Sequence, residues 1–188
     1  MKILITSMAA SASTLIFSSL LLLLPFSLSS PLSIQLESSS SSSSDLVNNT
    51  CKNTPNYQLC ISTLRSDPRS STADVSGLGL IVVDAVKGKA TSTLNTIKNL
   101  KKSKPQYKHQ LDECSRFYDA ILNADVPEAI EALTKGDPKF AENGMADTAL
   151  EVQLCQNGFK GSKSPIANEN TAVYNLSIVA RAIIRMLL

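Results

Sequence analysis

Few residues in this chain have a type and spacing suited to chemistry. The only histidine, His109, precedes Glu113 by one helical turn, the geometry of a surface ion pair or of a base steadied by a carboxylate. No nucleophile stands at a useful spacing from it, so it reads as a solvated histidine. Asp125, Glu128 and Glu131 place three carboxylates around Pro127, and paired carboxylates can act as acid and base on a glycoside. Here they read as ordinary acidic residues on a helix face. Lys98, Lys101, Lys102, Lys104 and Lys108 gather where a long helix should end. Cations there complement the helix dipole; an anionic polysaccharide or a membrane surface would be their other use. No catalytic residue, metal ligand or cofactor is assigned.

One short run does more. Gly136 ends one helical pattern, Asp137 suits an N-cap and Pro138 the first helical position. Lys139 and Phe140 then project a cation and an aromatic ring from the same turn. A rigid corner carrying such a pair suits an interface hot spot, because little freedom is lost on docking. Asp137, Pro138, Lys139 and Phe140 are therefore the candidate target-binding residues.

Something must hold that corner rigid, and the cysteines are the first candidates. Cys51, Cys60, Cys114 and Cys155 form an even set without a C-x-x-C pair, so disulfides are expected rather than a metal site. On one straight helix Cys51 and Cys60 would stand ~13.5 Å apart, against ~5.5 Å for a disulfide. Pairing them requires a chain reversal, and Asn53-Thr54-Pro55 offers one, with Thr54 as N-cap. That leaves Cys114 with Cys155. If the chain folds back at Gly136-Asp137, their heights differ by only ~6 Å. Mixed pairings would drag the N-terminal hairpin onto the core.

The elements between are helical. Leu78, Val82, Val86, Ala90, Leu94 and Ile97 form one apolar stripe. Tyr107, Leu111, Cys114, Tyr118 and Ile121 form a second, continuing past Pro127 through Ile130 and Leu133. Met145, Ala149, Val152, Cys155 and Phe159 give a third, and Leu176, Ala180, Ile183 and Leu187 a fourth. Breaks fall at Ser103-Lys104-Pro105, Gly136-Asp137-Pro138 and Gly161 to Pro165. Strand-like alternation is absent. The predicted fold is all-α: an up-down-up-down four-helix bundle with an N-terminal helical hairpin and two disulfides. Pro127 should kink or restart the second helix.

The front of the chain is different. Residues 1–29 combine Lys2, an apolar stretch densest at Leu20–Leu24, and small residues around Ser29, which reads as a signal peptide. Residues 30–44 include seven consecutive serines, Ser38–Ser44, and read as a flexible spacer. The folded domain spans 45–188, with 45–72 as the hairpin and 73–188 as the bundle. A secreted product is expected, without a membrane anchor after cleavage. Asn48 and Asn175 head N-glycosylation sequons. The formal charge of +2 falls to +1 without Lys2, too little basic surplus for nucleic-acid binding.

Two stretches carry a resemblance. The run from Cys51 to Cys60, CKNTPNYQLC, and the run from Pro127 to Phe140, PEAIEALTKGDPKF, are similar to the plant invertase inhibitor and pectin methylesterase inhibitor family. Within it the chain most resembles the cell-wall inhibitors of β-fructofuranosidase. The resemblance covers about Asp45 to the C-terminus, and the polyserine run is not part of it. It implies a helical bundle with sequential disulfides and an inhibitor, not an enzyme. It also implies a 1:1 complex with acid invertase, in which Pro138, Lys139 and Phe140 enter the active-site cleft. The implied location is the apoplast or cell wall, with the vacuole as alternative. Inhibition of pectin methylesterase through another face is the nearest competing function, and a carrier of small apolar ligands a more distant one.

Overall fold

The computed structural model describes residues 38–161 and 163–188. The signal peptide assigned to residues 1–29 and the start of the spacer lie outside them. Seven α-helices run in order: α1 (Ser38–Lys52), α2 (Tyr57–Arg65), α3 (Val75–Ser103), α4 (Lys108–Ala120), α5 (Val126–Lys135), α6 (Pro138–Asn157) and α7 (Ala167–Arg185). No strand occurs among the described residues. None of their helices is long and apolar enough to cross a membrane.

The helix ends follow local chemistry. Asp74 caps α3, its carboxylate accepting from Gly77 N at 2.8 Å. Asn56, not Thr54, caps α2: Asn56 Oδ1 accepts from Leu59 N at 3.1 Å. Thr54 instead closes α1, its hydroxyl donating to Cys51 O at 2.8 Å. The expected cap was two residues early because Thr54 finds an orphan carbonyl behind it before any amide ahead. Helix α1 also reaches back to Ser38, so Ser38–Ser44 has helical backbone where composition suggests a spacer. Once Val47 and Cys51 are buried on the core, each further turn adds a hydrogen bond without a new nucleation cost.

Helices α4 and α5 form one column, joined by a π-helical turn over Ile121–Asp125. Pro127 offers no amide to the carbonyl four residues behind it, which disfavours an ordinary turn there. The widened turn absorbs the conflict, with Val126 N donating to Ile121 O. It also moves the inward face. Past the turn the buried positions are Val126, Ala129, Ala132 and Leu133, while Ile130 is only half-buried.

Columns α3, α4–α5, α6 and α7 surround one core. Helix α7 packs on α3 and α6, and the α4–α5 column packs on the same two. All the residues of the third stripe, and those of the first, are buried. Tyr118, fully buried, donates its hydroxyl to Asn170 Oδ1 at 2.8 Å, and Asn170 Nδ2 reaches Gln156 Oε1 at 2.9 Å. Both polar side chains are thereby satisfied. The disulfides join Cys51 to Cys60 and Cys114 to Cys155, with Cα separations of 5.5 and 4.7 Å. The second ties α4, the first half of the α4–α5 column, to α6, the helix that leaves the candidate corner. In the chain-entropy picture the 41-residue separation it closes is worth about 4 kcal/mol.

Candidate target-binding site

The α5–α6 corner is built from its backbone outward. Gly136 takes φ +78°, a left-handed conformation that suits glycine. Its amide donates to Leu133 O at 3.4 Å and the Asp137 amide to Ala132 O at 2.9 Å, which satisfies the last carbonyls of α5. Pro138 opens α6, where its missing amide costs nothing. Asp137 occupies the cap position, but its side chain makes no capping hydrogen bond. The expected cap is therefore only positional, and the exposed Asp137 carboxylate faces solvent at the corner.

Phe140 is 53% exposed, a large apolar side chain left in water. It borders a surface hollow of about 300 Å³ shared with Glu128, Glu131, Ala132, Lys135 and Asp137. Lys135 pairs with Glu131 along the rim. Lys139 is 62% exposed at its side chain, yet not solitary: its Nζ lies 2.7 Å from Glu142 Oε2. The other Glu142 oxygen receives Arg181 Nε from α7, also at 2.7 Å. Glu142 itself is only 4% exposed. Lys139 and Arg181 together hold its carboxyl below the usual glutamate range. The corner thus presents a three-membered ionic network with a surplus of one positive charge.

Sequence reasoning placed Asp137, Pro138, Lys139 and Phe140 on one corner, where the structure also brings them together. It missed Glu142 and Arg181. The i, i+3 spacing of Lys139 and Glu142 was a legible signal; the reach of Arg181 across 39 positions was not.

The remaining candidates lie elsewhere. His109 is exposed on α4. Asp112 takes up part of the lysine cluster: Lys101 lies 2.5 Å and Lys108 2.8 Å from its carboxylate, which holds that carboxyl down at about 2. Glu128 and Glu131 are exposed as expected, but Asp125 is not an ordinary surface acid. It sits in the π turn at 8% exposure, and burial pushes its carboxyl up, with Asp147 and Glu128 adding repulsion. The half-buried Glu151 is pushed up for the same reasons, burial first and then Asp125. The π turn carries Asp125 inward. Asn48 accepts from Arg65 at 3.1 Å and Asn175 is half-buried. The hydroxyl residues of both sequons, Thr50 and Ser177, are buried at 3% and 0% exposure. No cluster of metal-ligating side chains occurs among the described residues.

A disulfide-stapled bundle that offers an exposed aromatic and a surplus cation on a stiff corner has the build of a protein that binds another protein. The chain belongs to the plant invertase/pectin methylesterase inhibitor family, which matches residues 45–183. It is 54% identical over 142 residues to the cell wall / vacuolar inhibitor of fructosidase 1 of Arabidopsis thaliana, covering 76% of this chain and 69% of that relative. It is 43% identical to inhibitor of fructosidase 2 of the same plant, covering 81% of this chain and 82% of the relative. A pectinesterase inhibitor from Actinidia deliciosa is 32% identical, covering 79% of each chain. The fold is shared with the crystal structure of a mutant form of a pectin methylesterase inhibitor from Arabidopsis, at a TM-score of 0.65 and 22% identity, over 73% of this chain and 94% of that one. The chain is an enzyme inhibitor and not an enzyme.

Proposed function

We propose that the chain inhibits plant acid invertase, a β-fructofuranosidase, by seating Pro138, Lys139 and Phe140 in the active-site cleft as a 1:1 complex. The observation that carries this reading is the exposed Phe140 beside the surplus-charge network of Lys139, on a corner fixed by Gly136 and Pro138. The names of the two Arabidopsis fructosidase inhibitors support the choice of target. A glycosidase cleft is lined with carboxylates. The Lys139 ammonium would meet one of them, Phe140 would cover an apolar wall, and sucrose would be excluded sterically. On this reading residues 1–29 direct secretion, and the protein acts in the cell wall or the vacuole.

The test is to titrate the disulfide-bonded protein against acid invertase in mildly acidic buffer, with pectin methylesterase in parallel. Saturable loss of sucrose hydrolysis with the esterase untouched is expected. Removing one member of a buried charge pair at an interface costs roughly 2–5 kcal/mol, so Lys139→Ala should weaken inhibition at least tenfold. Full inhibition by a folded Lys139→Ala protein would end this reading. Inhibition of the esterase alone would favour the second target, to which the Actinidia relative points.

A further inference from the structure

The Lys139 ammonium has a partner before any target arrives. A lysine that was the sole counter-charge of a buried carboxylate would be a poor ligand, because lending it to a target would strand the carboxylate unpaired. Here Glu142 has two partners, one on each oxygen and both at 2.7 Å. They differ in setting. Arg181 comes from the neighbouring helix α7 and its side chain is 40% exposed; Lys139 lies one turn back on the same helix and is 62% exposed. The arginine is the more sheltered of the two.

We propose that Arg181 is the positioning residue for the Lys139 contact: it neutralises Glu142 within the protein, leaving the Lys139 ammonium as a surplus charge that is handed to a carboxylate of the target. Arg181 acts through Glu142 and touches no reacting group. The inference rests on the invertase reading, and its test separates the two.

Inhibition constants against acid invertase are measured for Arg181→Gln, Arg181→Lys, Glu142→Gln, the Arg181→Gln/Glu142→Gln pair and Lys139→Met. Arg181→Gln should capture Lys139 on Glu142 and weaken inhibition about tenfold or more. The paired substitution removes the captor as well and should return inhibition to within about threefold of the parent. Arg181→Lys keeps the charge and should lose less than Arg181→Gln. Undiminished inhibition by Arg181→Gln, or a paired variant no better than Arg181→Gln alone, would overturn the proposal. Undiminished inhibition by Lys139→Met would instead remove the invertase reading on which it stands.

Thermal unfolding of the inhibitor alone gives an independent answer that needs no target and still applies if a variant folds poorly. The midpoint should fall clearly in Arg181→Gln and little in Lys139→Met. Equal losses would make Lys139 as essential a counter-charge as Arg181, and would overturn the proposal.

Discussion

Raising the pH from about 5 to about 8 should destabilise this protein, and Glu151→Gln should remove most of the effect. The π turn carries Asp125 into the interior beside Glu151 on α6. Thr148 donates to Asp125 Oδ2 at a long 3.4 Å, while Glu151 Oε2 is buried with no hydrogen-bond partner. As a carboxylate Glu151 lacks a donor; as an acid it becomes one, toward Asp125. Burial and the adjacent Asp125 and Asp147 charges push Glu151 from the ordinary 4.5 up to about 8. The unfolded chain therefore releases this proton near 4.5 and the folded chain keeps it to about 8. Between those values the native state binds more protons, so stability is greatest in acid and falls as pH rises.

A full proton over three pH units would amount to about 4 kcal/mol; halving that for the partial exposure of Glu151 leaves about 2. For a domain of this size that corresponds to roughly 4–8 °C in the unfolding midpoint. Glu142, whose carboxyl is held down by Lys139 and Arg181, has the opposite sign. Its contribution is complete above the ordinary glutamate value and is lost only in stronger acid, so it leaves this window untouched. The assay is thermal unfolding followed by circular dichroism at both ends of the window. Equal pH slopes in the parent and in Glu151→Gln would show that Glu151 does not carry the dependence.

Three further substitutions have outcomes set by their surroundings. A Cβ at Gly144 would lie 2.6 Å from the Asp125 carbonyl oxygen, so Gly144→Ala should cost about 1–3 kcal/mol through overpacking despite alanine's better helix propensity. Gly88, on the exposed face of α3, has nothing within 4 Å of the same position, and Gly88→Ala should gain roughly 0.5–1 kcal/mol; denaturant titration of the two variants checks both signs. Phe140→Ala should leave the unfolding midpoint within about a degree, since the ring is 53% exposed, yet weaken invertase inhibition roughly thirtyfold if the ring is an interface anchor. A variant that inhibits as well as the parent would place the anchor elsewhere.

How much of this was legible follows from the range of the forces involved. Apolar periodicity located α3, α4, α6 and α7, because a helix buries a stripe it spells out locally. Gly136 and Pro138 marked the corner through backbone preferences that need no tertiary partner. The π turn was harder to read: the stripe from Leu111 through Cys114 and Tyr118 to Ile121 resumes at Val126, a step of five where three or four is expected. Extending the ordinary period past Pro127 chose Ile130 over Ala129 and left Asp125 on the surface. The pairing of Arg181 with Glu142 was out of reach for another reason. An ion pair that reaches across 39 positions has no local periodicity, and each member alone looks like a solvated charge.

The widened turn has a consequence for how such a binding corner is aimed. An α-helix advances about 100° and 1.5 Å with every residue, so the five residues Ile121–Asp125 act as a phase setting between the stapled α4 and everything downstream. An ordinary α-helix running through all five would swing α5 and the corner by about one residue's 100°, whereas losing one residue would restore an ordinary helix with α5 still in phase. Straightening the turn at full length would turn Val126 and Ala129 out of the core first. The direction in which Phe140 points is therefore decided about fifteen residues before Phe140 itself.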